Sequence, residues 1–363
     1  MNDEAVLSSD ANRSDVRGVF VCTNAALPDP RCSYLVVRDS LRREMRSLFD
    51  TVERLNRYRP PPDFIYDESR LRELEDFGKN PGELTGWHHV PHGLVSPALV
   101  VVLHGCTQTA ARYDEGSGWS RLADDFGFAV LFPEQARQNN RNLCFNWFYG
   151  SDVDREHGEA KSIREMIATM VADQGIDPRR VFITGLSAGG AMANAMLAVY
   201  PEVFAGGAII AGLPYGAAVT IPQAFDRMRG YGLSSPESSQ KRLRAASSHA
   251  GPWPSISVWQ GTADTTVDQV NAKAIVDQWS AVHDVCSEPA KHTNVDGHDH
   301  FVWSDVCGHE MIELHSIKDM EHGTPLDTAS GYGRAGPFLL DIGISSTKHI
   351  ARGWGLIPSF AAV

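Results

Sequence analysis

Short apolar runs alternate with amphipathic segments from about residue 80 to the end of the chain. The apolar runs predict six buried strands, at 99–103, 128–132, 181–184, 208–211, 256–259 and 311–317. Helical spacing of apolar residues predicts helices between them at 119–126, 162–174, 188–200 and 267–283. Strands that alternate with helices are typical of the α/β class, in which a largely parallel sheet carries helices on both faces.

The N-terminal part of the chain has a different pattern. Apolar residues between 41 and 57 recur at three- and four-residue spacing, which predicts an amphipathic helix that three consecutive prolines then end. We expect residues 1–44 to be a dispensable extension, residues 45–79 to be this helix and a linker, and residues 80–363 to form one α/β catalytic domain. The polar stretch 223–249 lies between two predicted strands and predicts a short cap over the sheet edge.

Composition narrows the classes of partner. The 363 residues are 42% hydrophobic, which is enough for a large core and excludes a disordered chain. The 33 basic residues against 45 acidic ones give a net charge of −12, which argues against nucleic acid as a partner. The apolar runs fall short of the ~20 residues of a membrane span, so we expect no membrane partner. Oligomeric state is left open.

Residues 1–16 are acidic and polar, with no basic head before an apolar stretch. This start is not typical of a secretory signal peptide and favours a cytoplasmic protein. The six cysteines are too few in a chain of this length for a disulfide scaffold, so one or two disulfides and free thiols both stay open.

The sharpest local signal is a serine between two glycines, at the junction of a predicted strand and a predicted helix. Gly185 and Gly189 flank Ser187 directly after the strand 181–184. This is the strand–turn–helix context of a nucleophile elbow, in which the turn is so tight that side chains at 185 and 189 would strike backbone. We therefore expect Ser187 to be a nucleophile, with an idle serine in a glycine-rich turn as the alternative.

A nucleophilic serine needs a histidine base and a carboxylate that orients it, in the chain order serine, acid, histidine. Asp264 follows the end of the strand 256–259 and is the predicted acid, whereas Asp268 is expected to open the next helix. His322 is the predicted base, because it follows the strand 311–317 by a short loop and precedes a glycine. The other histidines after Asp264 are His283, His292, His298, His300, His309, His315 and His349.

Acyl transfer also needs backbone N–H groups that stabilise an oxyanion. We expect one from Ala188, after the nucleophile, and one from Cys106, in the loop after the strand 99–103. A group of histidines and a cysteine raises the question of a metal site, but its spacing matches no common zinc motif; its members are His298, His300, Cys307 and His309. We expect neither a metal nor an organic cofactor.

Several motifs together resemble the polyhydroxybutyrate (PHB) depolymerase family of esterases. They are LHGCTQTA at 103–110, FPEQ at 132–135, CFNWF at 144–148, GLSAGGAM at 185–192, YPEVF at 200–204, AGLPYG at 211–216, HGTPL at 322–326 and GISST at 343–347. The resemblance runs from about residue 70 to residue 356. It implies an α/β-hydrolase fold with Ser187, Asp264 and His322 as the triad.

The same resemblance implies further details of the site. It implies a disulfide from Cys106 to Cys144 and places Trp147 and Tyr215 near the acyl pocket, with aromatic core packing as the alternative. The chain departs from the expected pattern at Glu321, where a glycine is expected before the histidine. A carboxylate there either raises the pKa of the imidazole or points into solvent. Family members are often extracellular, in contrast to the cytoplasmic location that the N-terminus favours.

These expectations converge on a serine carboxylic-ester hydrolase that acts through an acyl-enzyme. The expected substrates are short 3-hydroxyalkanoate esters or oligomers, with a feruloyl or acetylxylan esterase as the first alternative. A non-catalytic binding protein of the same fold is the second alternative, since folds outlast their chemistry.

Overall fold

The structure is a computed structural model, and it describes residues 70–358. The predicted helix at 41–57 and the predicted extension at 1–44 lie outside the described residues. Among the helices that the structure describes, none is long and apolar enough to cross a membrane.

Ten strands of the described chain form one mixed sheet. They are β1 (Arg72–Leu74), β2 (Thr85–His89), β3 (Leu99–Leu103), β4 (Ala129–Glu134), β5 (Val181–Leu186), β6 (Gly206–Ile210), β7 (Ser255–Gly261), β8 (Lys291–Val295), β9 (His298–Ser304) and β10 (Glu310–Ile317). Their order is β1-β2-β4-β3-β5-β6-β7-β10-β9-β8. A separate parallel pair joins β11 (Thr324–Leu326) to β12 (Leu339–Asp341).

The six central strands, from β4 to β10 in the sheet order, run parallel to one another. Strand β3 has the burial that is typical of a parallel strand, because all five of its side chains are fully buried. Leu99 and Val101 join the core on one face of the sheet, whereas Val100 and Val102 join the core on the other. A strand buried on both faces requires helices on both sides, so the predicted α/β architecture is confirmed.

Nine α-helices accompany the sheet in the described residues. They are α1 (Ala110–Ser117), α2 (Trp119–Phe126), α3 (Gly150–Val153), α4 (Gly158–Asp173), α5 (Ala188–Val199), α6 (Ile221–Met228), α7 (Pro236–Ala245), α8 (Val270–His283) and α9 (Ser346–Gly353). Helix α5 is buried at every residue and packs in the core that contains Leu99 and Val101. Helices α2 and α9 contribute to the core on the other face of the sheet, which contains Val100 and Val102.

The structure adds elements that the hydrophobic pattern did not predict. The outer strands β1, β2, β8 and β9 extend the sheet with antiparallel pairs at both ends. Edge strands such as β8, whose residues are mostly exposed, lack the continuous apolar run of a buried strand. The predicted cap at 223–249 contains most of α6 and the whole of α7.

Candidate active site

Ser187 lies in a tight turn between β5 and α5, where the predicted elbow was expected. Its backbone has φ +56° and ψ −117°, a conformation that residues with a side chain rarely adopt. Hydrogen bonds fix the turn on both sides, because the Ser187 N–H donates to the Ile210 carbonyl and the Ala191 N–H donates to the Ser187 carbonyl, each at 2.8 Å. The serine is therefore held at the carboxyl end of β5 and at the start of a buried helix.

The two glycines around Ser187 are required by close backbone contacts. A Cβ at Gly185 would lie 2.3 Å from the Gly189 carbonyl oxygen, and a Cβ at Gly189 would lie 2.5 Å from the Leu103 carbonyl oxygen. Either contact is far inside van der Waals distance, so the prediction that side chains would strike backbone here is confirmed. The contact at Gly189 also brings the start of α5 against the end of β3.

Asp264 and His322 form a buried pair. The Nδ1 atom of His322 lies 2.7 Å from Oδ2 of Asp264, and both side chains are almost fully buried. Because an ionised carboxylate can only accept, Nδ1 carries the proton and the opposite ring nitrogen, Nε2, is left as the basic atom. This arrangement orients an imidazole for proton transfer.

The Asp264 carboxylate has further hydrogen-bond donors. The backbone N–H groups of Thr266 and Val267 donate to Oδ1 at 2.8 and 2.9 Å, and the amide of Gln260 donates to Oδ2 at 3.1 Å. Burial by itself raises the pKa of Asp264, but the charge and hydrogen bond of His322 and the two backbone donors outweigh it and hold the pKa below its usual range. The carboxylate is thus kept ionised.

The sheet brings Ser187, Asp264 and His322 to one edge. They follow the carboxyl ends of β5, β7 and β10, which are parallel strands separated only by β6. This edge is where open α/β sheets carry their sites. Asp268, the competing acid, instead accepts the Val270 N–H at 2.9 Å at the start of α8.

The loop after β3 is held beside the serine turn. The Leu186 side chain is about 3.2 Å from where a Cβ of Gly105 would stand, and the Gly105 N–H donates to Oε1 of Gln108 at 2.9 Å. Among the hydrogen bonds of residues 70–358, none uses the backbone N–H of Cys106 or of Ala188 as donor. Both N–H groups therefore keep their capacity to donate a hydrogen bond.

Two links fasten this loop to the segment before α3. A disulfide joins Cys106 to Cys144, the pair that the family resemblance implies, and the Thr107 N–H donates to the Asn142 carbonyl at 2.6 Å. Cys286 and Cys307 are exposed free thiols.

Replacing Cys106 and Cys144 together by serine is expected to lower the free energy of unfolding by about 3 to 4 kcal/mol. The bond closes a loop of 38 residues, and its loss increases the conformational entropy of the unfolded chain, which stabilises the unfolded state. Urea unfolding measures the change, and kcat on an ester should fall as well, because the backbone at position 106 is no longer fixed by the disulfide. The matched control is Cys286→Ser with Cys307→Ser, which removes two exposed thiols. Equal stability of the two double variants would contradict the prediction.

A buried polar network supports the same loop, and sequence reasoning missed it. His104 is fully buried, and burial lowers its pKa to about 4, so the ring is neutral. Its Nδ1 donates to the Gly105 carbonyl at 2.8 Å, which leaves Nε2 to accept the Gln135 N–H at 3.2 Å. The Gln135 amide in turn bonds the Cys144 carbonyl and Oε1 of Glu159. The motif at 132–135 was the one signal that could have indicated Gln135.

Glu159 anchors the other end of this network. Its Oε2 accepts the Asn146 N–H at 2.9 Å, next to Trp147. Burial raises the pKa of Glu159 to about 8, against the opposing effect of the N–H donor. A carboxyl at the start of α4 therefore positions the segment that carries Cys144 and Trp147.

The contribution of Glu159 to the free energy of unfolding is expected to fall as pH rises from about 4.5 to about 8. In this window the folded state keeps a proton that the unfolded state, with a pKa of 4.5, releases. Between pH 5 and pH 8, the free energy of unfolding of Glu159→Gln should change relative to that of the wild-type protein by on the order of 2 kcal/mol, because the variant lacks this loss of stability. Urea unfolding at both pH values tests it, with Glu165→Gln on the same helix as control. An unchanged slope in Glu159→Gln would refute the prediction.

The two aromatic residues that the resemblance places near the acyl pocket have different surroundings. Trp147 is 6% exposed and packs edge-to-face on Phe148, with ring centroids 5.2 Å apart. Tyr215 is partly exposed and lines a cavity of about 280 Å³ together with residues of α7 and α8, including Arg242. Glu321 is exposed, which agrees with the expectation that its carboxylate points into solvent.

The histidines and cysteine considered as a metal group do not form one cluster, although Cys307 and His309 lie together beside Asp305. His298 accepts the Lys318 N–H at 3.1 Å, whereas His300 lies beside Glu313 and His309 lies beside Asp305. His315, one of the other histidines after Asp264, is buried.

Comparison with known proteins decides the family. Residues 89–290 match the family described as Esterase PHB depolymerase, which is more than half of the chain. The chain belongs to the PHB depolymerase family of esterases. A relative from Paucimonas lemoignei named poly(3-hydroxyalkanoate) depolymerase C is 42% identical over 79% of this chain and 70% of its own length. Acetylxylan esterase A of Emericella nidulans is 30% identical over 75% of this chain and 92% of its own length.

Solved structures of esterases share the fold of this family member. An acetyl xylan esterase from Aspergillus awamori superposes with a TM-score of 0.68 at 23% identity, over 79% of this chain and 99% of that one. The α/β-hydrolase architecture implied by the resemblance is therefore confirmed. Because its relatives are named depolymerases and esterases, the chain is a carboxylic-ester hydrolase.

Proposed function

We propose that Ser187, Asp264 and His322 are the catalytic triad of this esterase and that its substrates are short 3-hydroxyalkanoate esters or oligomers. The observation that carries the proposal is the buried hydrogen bond from His322 to Asp264 at the sheet edge that holds Ser187 in its strained turn. The substrate class is supported by the 42% identity to the Paucimonas lemoignei protein, against 30% for the acetylxylan esterase.

The proposed reaction follows the roles that these groups can fill. The Ser187 hydroxyl attacks the ester carbonyl while Nε2 of His322 takes its proton. Asp264 holds the other ring nitrogen and stabilises the imidazolium. The backbone N–H groups of Cys106 and Ala188 stabilise the oxyanion. His322 returns the proton to the departing alcohol, which leaves an acyl-enzyme, and water activated by the same nitrogen then releases the acid and frees Ser187.

A direct comparison of substrates tests the proposed specificity. Acid release is measured from 3-hydroxybutyrate oligomers, from acetylated xylan oligomers and from methyl ferulate, each with Ser187→Ala as the blank. We expect the highest kcat/KM on the hydroxybutyrate oligomers. A preference for acetylated xylan or for ferulate would reject the 3-hydroxyalkanoate assignment and keep the triad.

The alternative of a non-catalytic binding protein has its own test. A fluorophosphonate probe reacts covalently with an activated serine, so it is expected to label the wild-type protein at Ser187 and to leave Ser187→Ala unlabelled. Absence of label on the folded wild-type protein would favour the binding role.

A further inference from the structure

Two histidines and one glutamate meet on strands β9 and β10, in the antiparallel part of the sheet. The Nε2 atom of His300 lies 2.9 Å from Oε2 of Glu313, and the Nε2 atom of His315 lies 3.3 Å from the same oxygen. All three potential ligand atoms lie within 4.8 Å of one another. Three donor atoms thus converge on one point.

The sheet register explains why these side chains meet. Glu313 and His315 are two residues apart on β10, so they point to the same face of the strand. His300 is the direct partner of His315 across the β9–β10 ladder. The two imidazole rings stack with centroids 4.2 Å apart and planes 19° from parallel. For both Nε2 atoms to face a shared ion, the two rings have to turn out of this stacked arrangement.

A second layer of contacts fixes the three side chains. The His315 ring stacks on the Trp259 ring at 3.8 Å, and the Trp259 indole N–H donates to the Ser257 hydroxyl at 2.9 Å. The Ser257 hydroxyl in turn hydrogen-bonds Glu313. On the other strand, the Thr293 hydroxyl lies 3.4 Å from Nδ1 of His300. Such outer contacts orient the ligands in protein metal sites.

The carboxylate also borders free space. Glu313 and Ser257 line a cavity of about 90 Å³ whose wall includes Trp354 after helix α9. The cavity is large enough for a water molecule beside the Glu313 carboxylate.

We propose that His300, Glu313 and His315 bind a divalent transition-metal ion, with zinc as the cation that their chemistry fits best. Two imidazole nitrogens and one carboxylate oxygen are a common set of protein ligands for zinc, with water as the fourth. Ligands placed tetrahedrally at roughly 2.0 to 2.2 Å from zinc lie about 3.3 Å from one another. The two nitrogen-to-oxygen separations in the structure, 2.9 and 3.3 Å, are close to this value.

The proposed ion has no part in ester hydrolysis. In the described part of the chain, the contacts of the three side chains include none with Ser187, Asp264 or His322. The ion instead joins β9 to β10 and stabilises the antiparallel end of the sheet. The expectation that catalysis needs no metal is compatible with this role.

A second group of residues provides the alternative location for a bound ion. Asp305, Cys307 and His309 lie together in the exposed turn between β9 and β10. Its ligands include a thiolate, whereas the proposed site has only nitrogen and oxygen donors. This difference makes the two groups distinguishable by spectroscopy.

The test is a calorimetric titration of the EDTA-treated full-length protein with zinc chloride. We expect one zinc ion per chain and, with zinc at 100 times its Kd, a rise in melting temperature on the order of 5 °C. Glu313→Gln with His300→Asn should abolish both effects. The matched control is His292→Asn, which removes an exposed histidine that pairs with a single carboxylate, Asp299, and should leave both effects unchanged.

Three outcomes would overturn the proposal: no zinc bound by the wild-type protein, full binding in the Glu313→Gln/His300→Asn variant, or binding lost in His309→Asn. Cobalt(II) titration of the wild-type protein keeps the test decisive if the double variant fails to fold. Tetrahedral cobalt with nitrogen and oxygen ligands is expected to absorb in the visible range. A near-ultraviolet thiolate-to-cobalt band would instead place the ion at Cys307. Esterase activity should be equal with and without zinc, so failure here leaves the proposed triad untouched.

Discussion

Ser187→Ala is expected to lower kcat by roughly 10⁴- to 10⁶-fold, the largest effect of any single substitution in this protein. The variant lacks the hydroxyl that forms the acyl-enzyme. Its remaining activity is direct attack of water on the bound ester, which only substrate binding and oxyanion stabilisation accelerate. Initial rates of acid release from 3-hydroxybutyrate oligomers measure the loss. KM should change little, because the substituted group forms its bond during the reaction rather than on binding.

Folding of the Ser187→Ala variant is expected to be unaffected. Position 187 has φ +56°, and alanine has the same Cβ as serine, so the backbone strain of the turn stays. Ser187→Gly relieves that strain and should be as inactive as alanine but more stable. The control for activity is Ser287→Ala, an exposed serine between α8 and β8. Measurable turnover within tenfold of wild type in Ser187→Ala would rule out the nucleophile assignment.

The central part of the fold and the three triad candidates could be predicted because each depends on local pattern. A strand such as β3 is apolar throughout since both of its faces are buried, and such a run is visible in sequence. Ser187, Asp264 and His322 could be placed because each lies within a few residues of the end of a predicted parallel strand. The outer strand β8 could not be predicted, because its residues face solvent and lack that run.

The polar contacts around the site could not be predicted, because their partners are distant in sequence. Glu159 and Gln135 are 24 residues apart, and nothing in either segment indicates that they share a buried hydrogen bond. His300 and His315 are brought together by strand register, and the sequence spacing of the histidines instead grouped His300 with Cys307. Local periodicity predicts elements and their ends, whereas buried polar partners depend on the three-dimensional arrangement.

Asp264→Asn is expected to have the second largest effect on kcat, because Asp264 fixes the tautomer of His322. In Asp264→Asn, Oδ1 can still accept the Thr266 and Val267 N–H groups, but the new amide nitrogen faces Nδ1 of His322. The imidazole then accepts at Nδ1 and carries its proton on Nε2, so it cannot take the proton of Ser187.

We therefore expect Asp264→Asn to lower kcat by about 10⁴-fold while the protein stays folded. Rates on the same oligomers measure the loss. Asp268→Asn is the matched control, because the asparagine oxygen can still accept the Val270 N–H and Asp268 was the competing acid in the sequence. If Asp268→Asn is the slower variant, or if both keep wild-type rates, Asp264 is not the acid that orients the base for Ser187.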